Sequence, residues 1–215
     1  MRVKVIMMPF KDLKCISVDN TLGEAMEIID KNHLLSMPVI EGRKFIGVLS
    51  KQHTYECFFQ EYSCSREEFF TVKVKDLMKS KVETVNMNLR IEEAAALFIA
   101  SKVRFIPVTD EKGNLEGIIT QQAIFKYYQK LFGSDYNTLT ILCHDYKGVF
   151  GKICECIAKA GGNIKNIVSV DTEVMGIQEF FLRIDAEDFG KVVKDLEKNK
   201  YDVRNIHYVK QDEEL

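Results

Sequence analysis

The sequence predicts an α/β (α+β) protein made of two copies of a β-α-β-β-α unit followed by one βαββαβ unit. Three observations carry this. Residues 15–40 and 84–109 share a pattern at an offset of 69, and Pro38 and Pro107, 69 apart, are two of only three prolines. An internal repeat constrains the architecture before any side-chain chemistry is weighed. The apolar positions 22, 25, 26 and 29 return as 91, 94, 95 and 98, a helical face both times. After Phe132-Gly133-Ser134-Asp135 the repetition stops, and a polar, glycine-containing stretch of that kind marks a domain boundary.

The elements follow in order. Met1-Arg2-Val3-Lys4-Val5-Ile6 alternates like a strand, a turn sits around 9–11, and a second strand lies near 14–18. Thr21-Leu22-Gly23-Glu24 is a capping-box signature, with a hydroxyl and a carboxylate placed to satisfy two orphan amides of a helix start. A strand at 37–40, a turn at 41–44, a strand at 45–49 and a helix from Ser50 complete the first unit. Gly47-Val48-Leu49-Ser50 recurs as Gly117-Ile118-Ile119-Thr120, offset by 70 because the second hairpin turn, Asp110 to Asn114, holds one extra residue. The stretch 58–70 is too apolar for disorder and reads as a helical connector. Beyond the boundary come a strand at 139–143, a helix at 149–160 with an apolar face at 150, 153, 154 and 157, and Gly161-Gly162 to end it. Strands at 164–170 and 177–184, a helix at 187–199 with its face at 189, 192, 193 and 196, and a strand at 203–209 follow. This is the ferredoxin-like order. The expected domains are 1–71, 72–133 and 137–210, with an acidic, frayed tail at 211–215.

Composition limits the function. The chain has 215 residues, 46% hydrophobic and 29% charged, with no apolar run of the ~20 residues that a membrane span needs. No signal-peptide core is visible at the start, so a cytoplasmic protein is expected. The net charge of −2 and the absence of a basic block argue against nucleic acid, and with no such apolar run no membrane partner is expected. Six cysteines form no CxxC pair and are read as reduced thiols; four scattered histidines give no metal site. Cys143-His144-Asp145 is no catalytic set, because neighbours on a strand point to opposite faces. Cys154 is assigned to the core face of its helix and Cys156 off it. Gly161-Gly162-Asn163 is a turn without the lysine and spacing of a phosphate loop. With no convergent acid, base or nucleophile, an enzyme is not expected.

Each repeat resembles a CBS domain. The features that carry the resemblance are Cys15-Ile16 and Thr84-Val85, the helix, the apolar-Pro-Val strand, and Gly-x-x-Ser/Thr before the last helix. Two in tandem resemble a Bateman module. The third segment resembles an ACT domain through Asp145-Tyr146-Lys147-Gly148-Val149-Phe150 and Gly162-Asn163-Ile164, and the domain order is similar to that of acetoin-utilization proteins of the AcuB type. The resemblance implies a regulatory protein with no required cofactor. It implies an adenosine-containing ligand (AMP, ADP, ATP or S-adenosylmethionine) in the CBS clefts, an amino acid or small metabolite at the ACT domain, a homodimer, and an unknown protein partner.

The residues assign candidate sites. In the second repeat Val85, Ile106 and Pro107 form a slot, Thr84 and Thr120 supply hydroxyls, and Lys102 and Arg104 offset phosphate charge. The first repeat offers Cys15, Ile16, Met37, Pro38, Ser50 and His53, with Leu35 where the second has Arg104. Related sites often carry Ser/Thr-x-x-Asp, whose carboxylate accepts the ribose hydroxyls. Here Ser50-Lys51-Gln52-His53 and Thr120-Gln121-Gln122-Ala123 lack it. That loss costs on the order of 1.5–3 kcal/mol. In the ACT segment the candidates are Asp145, Gly148, Val149, Phe150, Asn163 and Ile164. Asp145 either receives an ammonium group or caps the helix, and capping is the plainer reading. The alternative function is an adapter that binds no metabolite, its pockets plugged by Met37, Phe105 or Phe150.

Overall fold

The computed structural model describes residues 1–101, 103–133, 135–174 and 176–209. Lys102, Ser134 of the expected boundary and the tail 211–215 lie outside the described residues. The chain divides into two compact units, Met1–Tyr127 and Tyr128–Leu215.

The first unit opens with a 3-10 turn at Val3–Val5, strand β1 (Met8–Pro9) and a second 3-10 turn at Phe10–Asp12. The first repeat is β2 (Ile16–Ser17), α1 (Leu22–Lys31), β3 (Ser36–Glu41), β4 (Lys44–Ser50) and α2 (Lys51–Glu61). Short helices α3 (Arg66–Phe69) and α4 (Val74–Leu77) lead to α5 (Ile91–Ala100), β5 (Phe105–Thr109), β6 (Leu115–Thr120) and α6 (Gln121–Phe132). Helix α1 starts where the sequence places it: Glu24 N–H donates to Thr21 Oγ1 (3.2 Å) while Thr21 N–H donates to Glu24 Oε2 (2.8 Å). Leu22, Ala25, Met26 and Ile29 are all buried, as are Ile91, Ala94 and Phe98. In each repeat the segment before the first helix pairs in parallel with the proline strand, Ile16 opposite Val39 and Val85 opposite Val108.

The two repeats exchange segments. β1 joins the sheet of the second repeat, in the order β1-β6-β5, while the first sheet is β2-β3-β4. Val3 N–H donates to Leu89 O and Lys4 N–H to Met87 O. Reciprocally, Val74 N–H donates to Asn20 O and Lys75 N–H to Val18 O, and Lys79 bridges Val48 of β4. The repeated glycines permit these crossings. A Cβ on Gly117 would stand 2.4 Å from Met8 O, and one on Gly47 2.4 Å from Lys79 O.

Two expectations are corrected here. Residues 1–6 are not a strand: their amides serve the chain ahead of α5 in a 3-10 turn that buries Val3. The connector 58–70 is not one helix. α2 ends at Glu61, and α3 begins at a new capping box, in which Ser65 and Glu68 bond each other's backbone amides. The break lets Phe69 turn inward, where its ring meets Phe58 and Tyr62 at 5.1 and 4.8 Å between centroids.

The second unit is β7 (Asn137–His144), α7 (Val149–Lys159), β8 (Asn163–Asp171), β9 (Ile177–Asp185), α8 (Phe189–Lys198) and β10 (Asp202–His207), with an antiparallel sheet in the order β10-β7-β9-β8. This is the expected βαββαβ arrangement. Alternate residues Leu139 and Ile141, and Phe180, Leu182 and Ile184, meet both helices in one core, so one sheet face is covered. The buried stripe of α7 is Val149, Ile153 and Ile157, and Phe150 is 46% exposed. With Gly148 as N-cap, the i, i+4, i+8 face starts one residue earlier than expected. It also brings Cys156, not Cys154, against the core. Among the described residues, no helix is long and apolar enough to cross a membrane, and no cluster of His, Cys, Asp or Glu is set to hold a metal.

Candidate functional site

β4 delivers Ser50 to the start of α2. Its Oγ accepts from His53 N–H (3.4 Å), so the hydroxyl proton stays free to reach an acceptor outside the helix. Thr120 does the same for α6, where Ala123 N–H donates to its Oγ1 (3.1 Å). A cavity of about 540 Å³ opens beside Ser50. The first repeat supplies Ser36, Val48, Ser50, Gln52, His53 and Glu56; the second supplies Val103, Arg104, Phe105 and Gln121; the crossing segment supplies Lys79 and Val82. That segment is held by reciprocal bonds of 2.9 Å between Lys79 and Val48. The size is that of a small-molecule site.

Its chemistry is divided. Val48, Val82, Val103 and Phe105 are apolar, while Lys79, Arg104 and, as the one carboxylate among the described lining residues, Glu56 are charged. Glu56 Oε1 already accepts from Gln52 Nε2 (2.8 Å). His53 lies 3.7 Å through either ring nitrogen from Cys57 Sγ. Burial, and then the charges of Glu61 and Glu56, push the Cys57 thiol up. Lys51 points elsewhere, into an ion pair with Asp30.

A second cavity, about 280 Å³, shares Lys79, Val82, Val103 and Phe105 with the first and adds Lys81, Glu83, Leu97, Ser101 and Ile106. Its counterpart in the first repeat, about 580 Å³, includes Leu13, Lys14, Ile28 and Asn32, each 69 residues before Val82, Glu83, Leu97 and Ser101. Cys15 and Ile16 line it together with Glu24 and Glu27, and burial pushes the Cys15 thiol up to about 11.

The fold therefore brings the candidates together across repeats. Ser50 and His53 share a cavity with Arg104, and Ile106 lies next door. Met37, Pro38 and Pro107 are buried in the strands, Thr84 Oγ1 accepts from Thr109 Oγ1 (3.2 Å), and Val85 is engaged in its bridge to Val108. Phe105 is buried and lines both cavities without closing them, Met37 belongs to the core, and Phe150 is exposed. Reading the sequence repeat by repeat missed Lys79 and Val82. The signal was present: Val3, Lys4 and Met7 recur as Val74, Lys75 and Met78 at an offset of 71.

In the second unit Asp145 does not cap α7. The N-cap is Gly148, at φ 91°, and it carries no side-chain bond; Asp145 N–H donates to Gly176 O. An added Cβ at Gly148 would meet nothing within 4 Å, so this turn is open. Asn163 is exposed at the start of β8, outside the left-handed region, while Val149 is buried in the core and Ile164 packs against it. A cavity of about 680 Å³ lies at the end of β7, lined by Cys143, His144, Tyr146, Tyr201 and Arg204 among others. Burial and Asp145 raise the Cys143 thiol.

A CBS-domain family model matches residues 3–53 and 74–130, and an ACT-domain model matches residues 137–200. An inosine-5′-monophosphate dehydrogenase of Methanocaldococcus jannaschii is 30% identical over 117 residues, 54% of this chain and 22% of that protein. The chloroplastic CBS domain-containing protein CBSX1 of Arabidopsis thaliana is 28% identical over 134 residues, 52% of this chain and 57% of that protein. The chain thus spans about a fifth of the dehydrogenase, 22%, and matches it only in the CBS portion. Among solved structures, Arabidopsis CBSX2 in complex with AMP superposes with a TM-score of 0.55 at 25% identity, covering 61% of this chain and 98% of that one. AcuB from Vibrio cholerae shares the fold, with a TM-score of 0.53 at 20% identity, covering 61% and 93%. CBS and ACT domains are regulatory modules. With its two repeats exchanging segments and a βαββαβ unit after them, the chain belongs to the CBS-domain family, as a tandem CBS pair followed by an ACT domain.

Proposed function

We propose that this protein is a non-enzymatic regulatory sensor that binds an adenosine-containing ligand in the cavity between its CBS repeats and controls a partner through the resulting shift in conformation. One observation carries the reading: a cavity of about 540 Å³ sets an apolar wall against two cations and a helix-capping hydroxyl. A base needs the first and a phosphate the others. The AMP complex of the similar CBSX2 supports the ligand class. Such a ligand acts only through unequal affinity for two arrangements of the pair. Exposed Phe59, Ile99 and Phe125, on α2, α5 and α6, support a homodimer. The open turn at Gly148 supports an amino acid or small metabolite at the ACT unit.

A thermal-shift panel of AMP, ADP, ATP, S-adenosylmethionine, NAD and the amino acids tests the proposal. A ligand at a hundred times its dissociation constant stabilises the fold by about 2.7 kcal/mol. An adenosine-specific shift is expected. It should weaken in Arg104→Leu, which installs the residue found at the matching position 35. A flat panel would leave the adapter reading, which the absent ribose carboxylates favour.

A further inference from the structure

We propose that the inter-repeat cavity reads phosphate charge and not the sugar. Its ligand is an adenine nucleoside di- or triphosphate, held with little distinction between ribose and 2′-deoxyribose. This rests on the nucleotide reading above and narrows it.

Of the two adjoining cavities, the smaller is the more apolar. The smaller is lined by Leu97, Ile106 and the shared Val82, Val103 and Phe105, with Glu83, Ser101, Lys81 and the shared Lys79 as its polar groups. The larger holds Ser50, His53, Lys79 and Arg104. A nucleotide laid across them puts its base in the smaller and its phosphates in the larger. The sugar then falls at the common wall, where three of the four shared residues are apolar and the fourth is Lys79.

Recognition of a sugar diol calls for an acceptor with spare lone pairs, and carboxylates serve best. Among the described residues, the only carboxylate lining the larger cavity is Glu56, and one of its oxygens is taken by Gln52. The phosphate side is better provided. Lys79 and Arg104 come from different elements, the crossing segment and the edge of β5, and can bracket a chain of phosphates. Both side chains belong to exposed residues, so substituting them leaves the fold intact. Each cation that bonds a phosphate oxygen is worth about tenfold or more in affinity.

Isothermal titration of the full chain with AMP, ADP, ATP and 2′-deoxy-ATP tests the inference, repeated with Lys79→Gln and Arg104→Gln. We expect affinity to rise from AMP to ATP by about tenfold or more, and 2′-deoxy-ATP to match ATP within about twofold. Each variant should weaken ATP by about tenfold while changing AMP by less than about threefold. A 2′-deoxy-ATP affinity about tenfold below that of ATP, or AMP as tight as ATP, overturns the selectivity and leaves the nucleotide site standing. Absence of binding by every nucleotide overturns both.

Discussion

Replacing Gly117 with alanine tests how the first nine residues are held. The new Cβ would lie 2.4 Å from Met8 O and 3.3 Å from Met7 Sδ. Ordinary contact starts near 3.4 Å, so the carbonyl must retreat by about 1 Å. β1 pairs Met8 with Ile118 and Pro9 with Gly117, and a ladder bond stretched that far leaves the hydrogen-bonding range. Two responses compete. Strain absorbed in place costs about 1–3 kcal/mol. Release of the arm exposes Val3, worth about 1.5–3 kcal/mol. It also breaks three backbone bonds, from Val3, Lys4 and Ile91 N–H to Leu89, Met87 and Met1 O, at about 0.5–1.5 kcal/mol each. The cheaper response wins, so Gly117→Ala should lose about 1–3 kcal/mol with the arm docked but loosened. Urea unfolding reads the loss, and hydrogen exchange at Val3 and Lys4 reads the loosening. Gly47→Ala meets Lys79 O at the same 2.4 Å and should lose as much, but it also displaces a residue of the cavity and weakens nucleotide binding. Stability of Gly117→Ala within about 0.5 kcal/mol of the parent would refute the crossing as drawn.

Two further outcomes follow from local geometry. Gly162→Ala puts a Cβ 2.7, 3.0 and 3.2 Å from methyls of Ile157, Ile184 and Val192, all fully buried, and should destabilise the second unit by about 1–3 kcal/mol; Gly151→Ala, inside the same core's helix α7 with nothing within 4 Å, should gain up to about 1 kcal/mol, and calorimetry separates the two. The backbone N–H of Thr21, and then the side chain of Asn20, hold the Glu24 carboxyl below its ordinary value. A group lowered on folding contributes stability above its unfolded pKa and loses it as pH falls through the folded one. Acid unfolding should therefore lose a component below about pH 4 when Glu24 is changed to Gln, and denaturant midpoints across pH 2–6 check it.

Much of this was visible in the chain before folding. Pro38 and Pro107 mark equivalent strands, and the faces at 22, 25, 26, 29 and at 189, 192, 193, 196 are buried as their spacing implies. Periodicity reports which residues face a core. It does not report which core receives a segment, so β1 and the approach to Lys79 were assigned to their own repeats. The site suffered for the same reason. Ser50, His53 and Arg104 were recognised as binding types, yet their meeting depends on tertiary exchange across the pair. Asp145 illustrates another limit. A carboxylate near a helix start is a capping candidate by residue type, but the left-handed Gly148 turned the chain so that no side chain caps α7.

The exchange of segments means that neither repeat is a separable piece of covalent chain. A fragment ending at residue 71 keeps the arm of Val3 and Met8 but loses β6, its berth, and loses Val74 and Leu77 from its own core. That fragment and the one that begins at residue 72 satisfy each other only by trading arms, which makes folding depend on concentration. The connector through α3 removes that dependence by tethering the reciprocal surfaces, so that each finds the other at an effective concentration set by a short link. Cutting that connector should split one molecule into two halves that fold only as a pair.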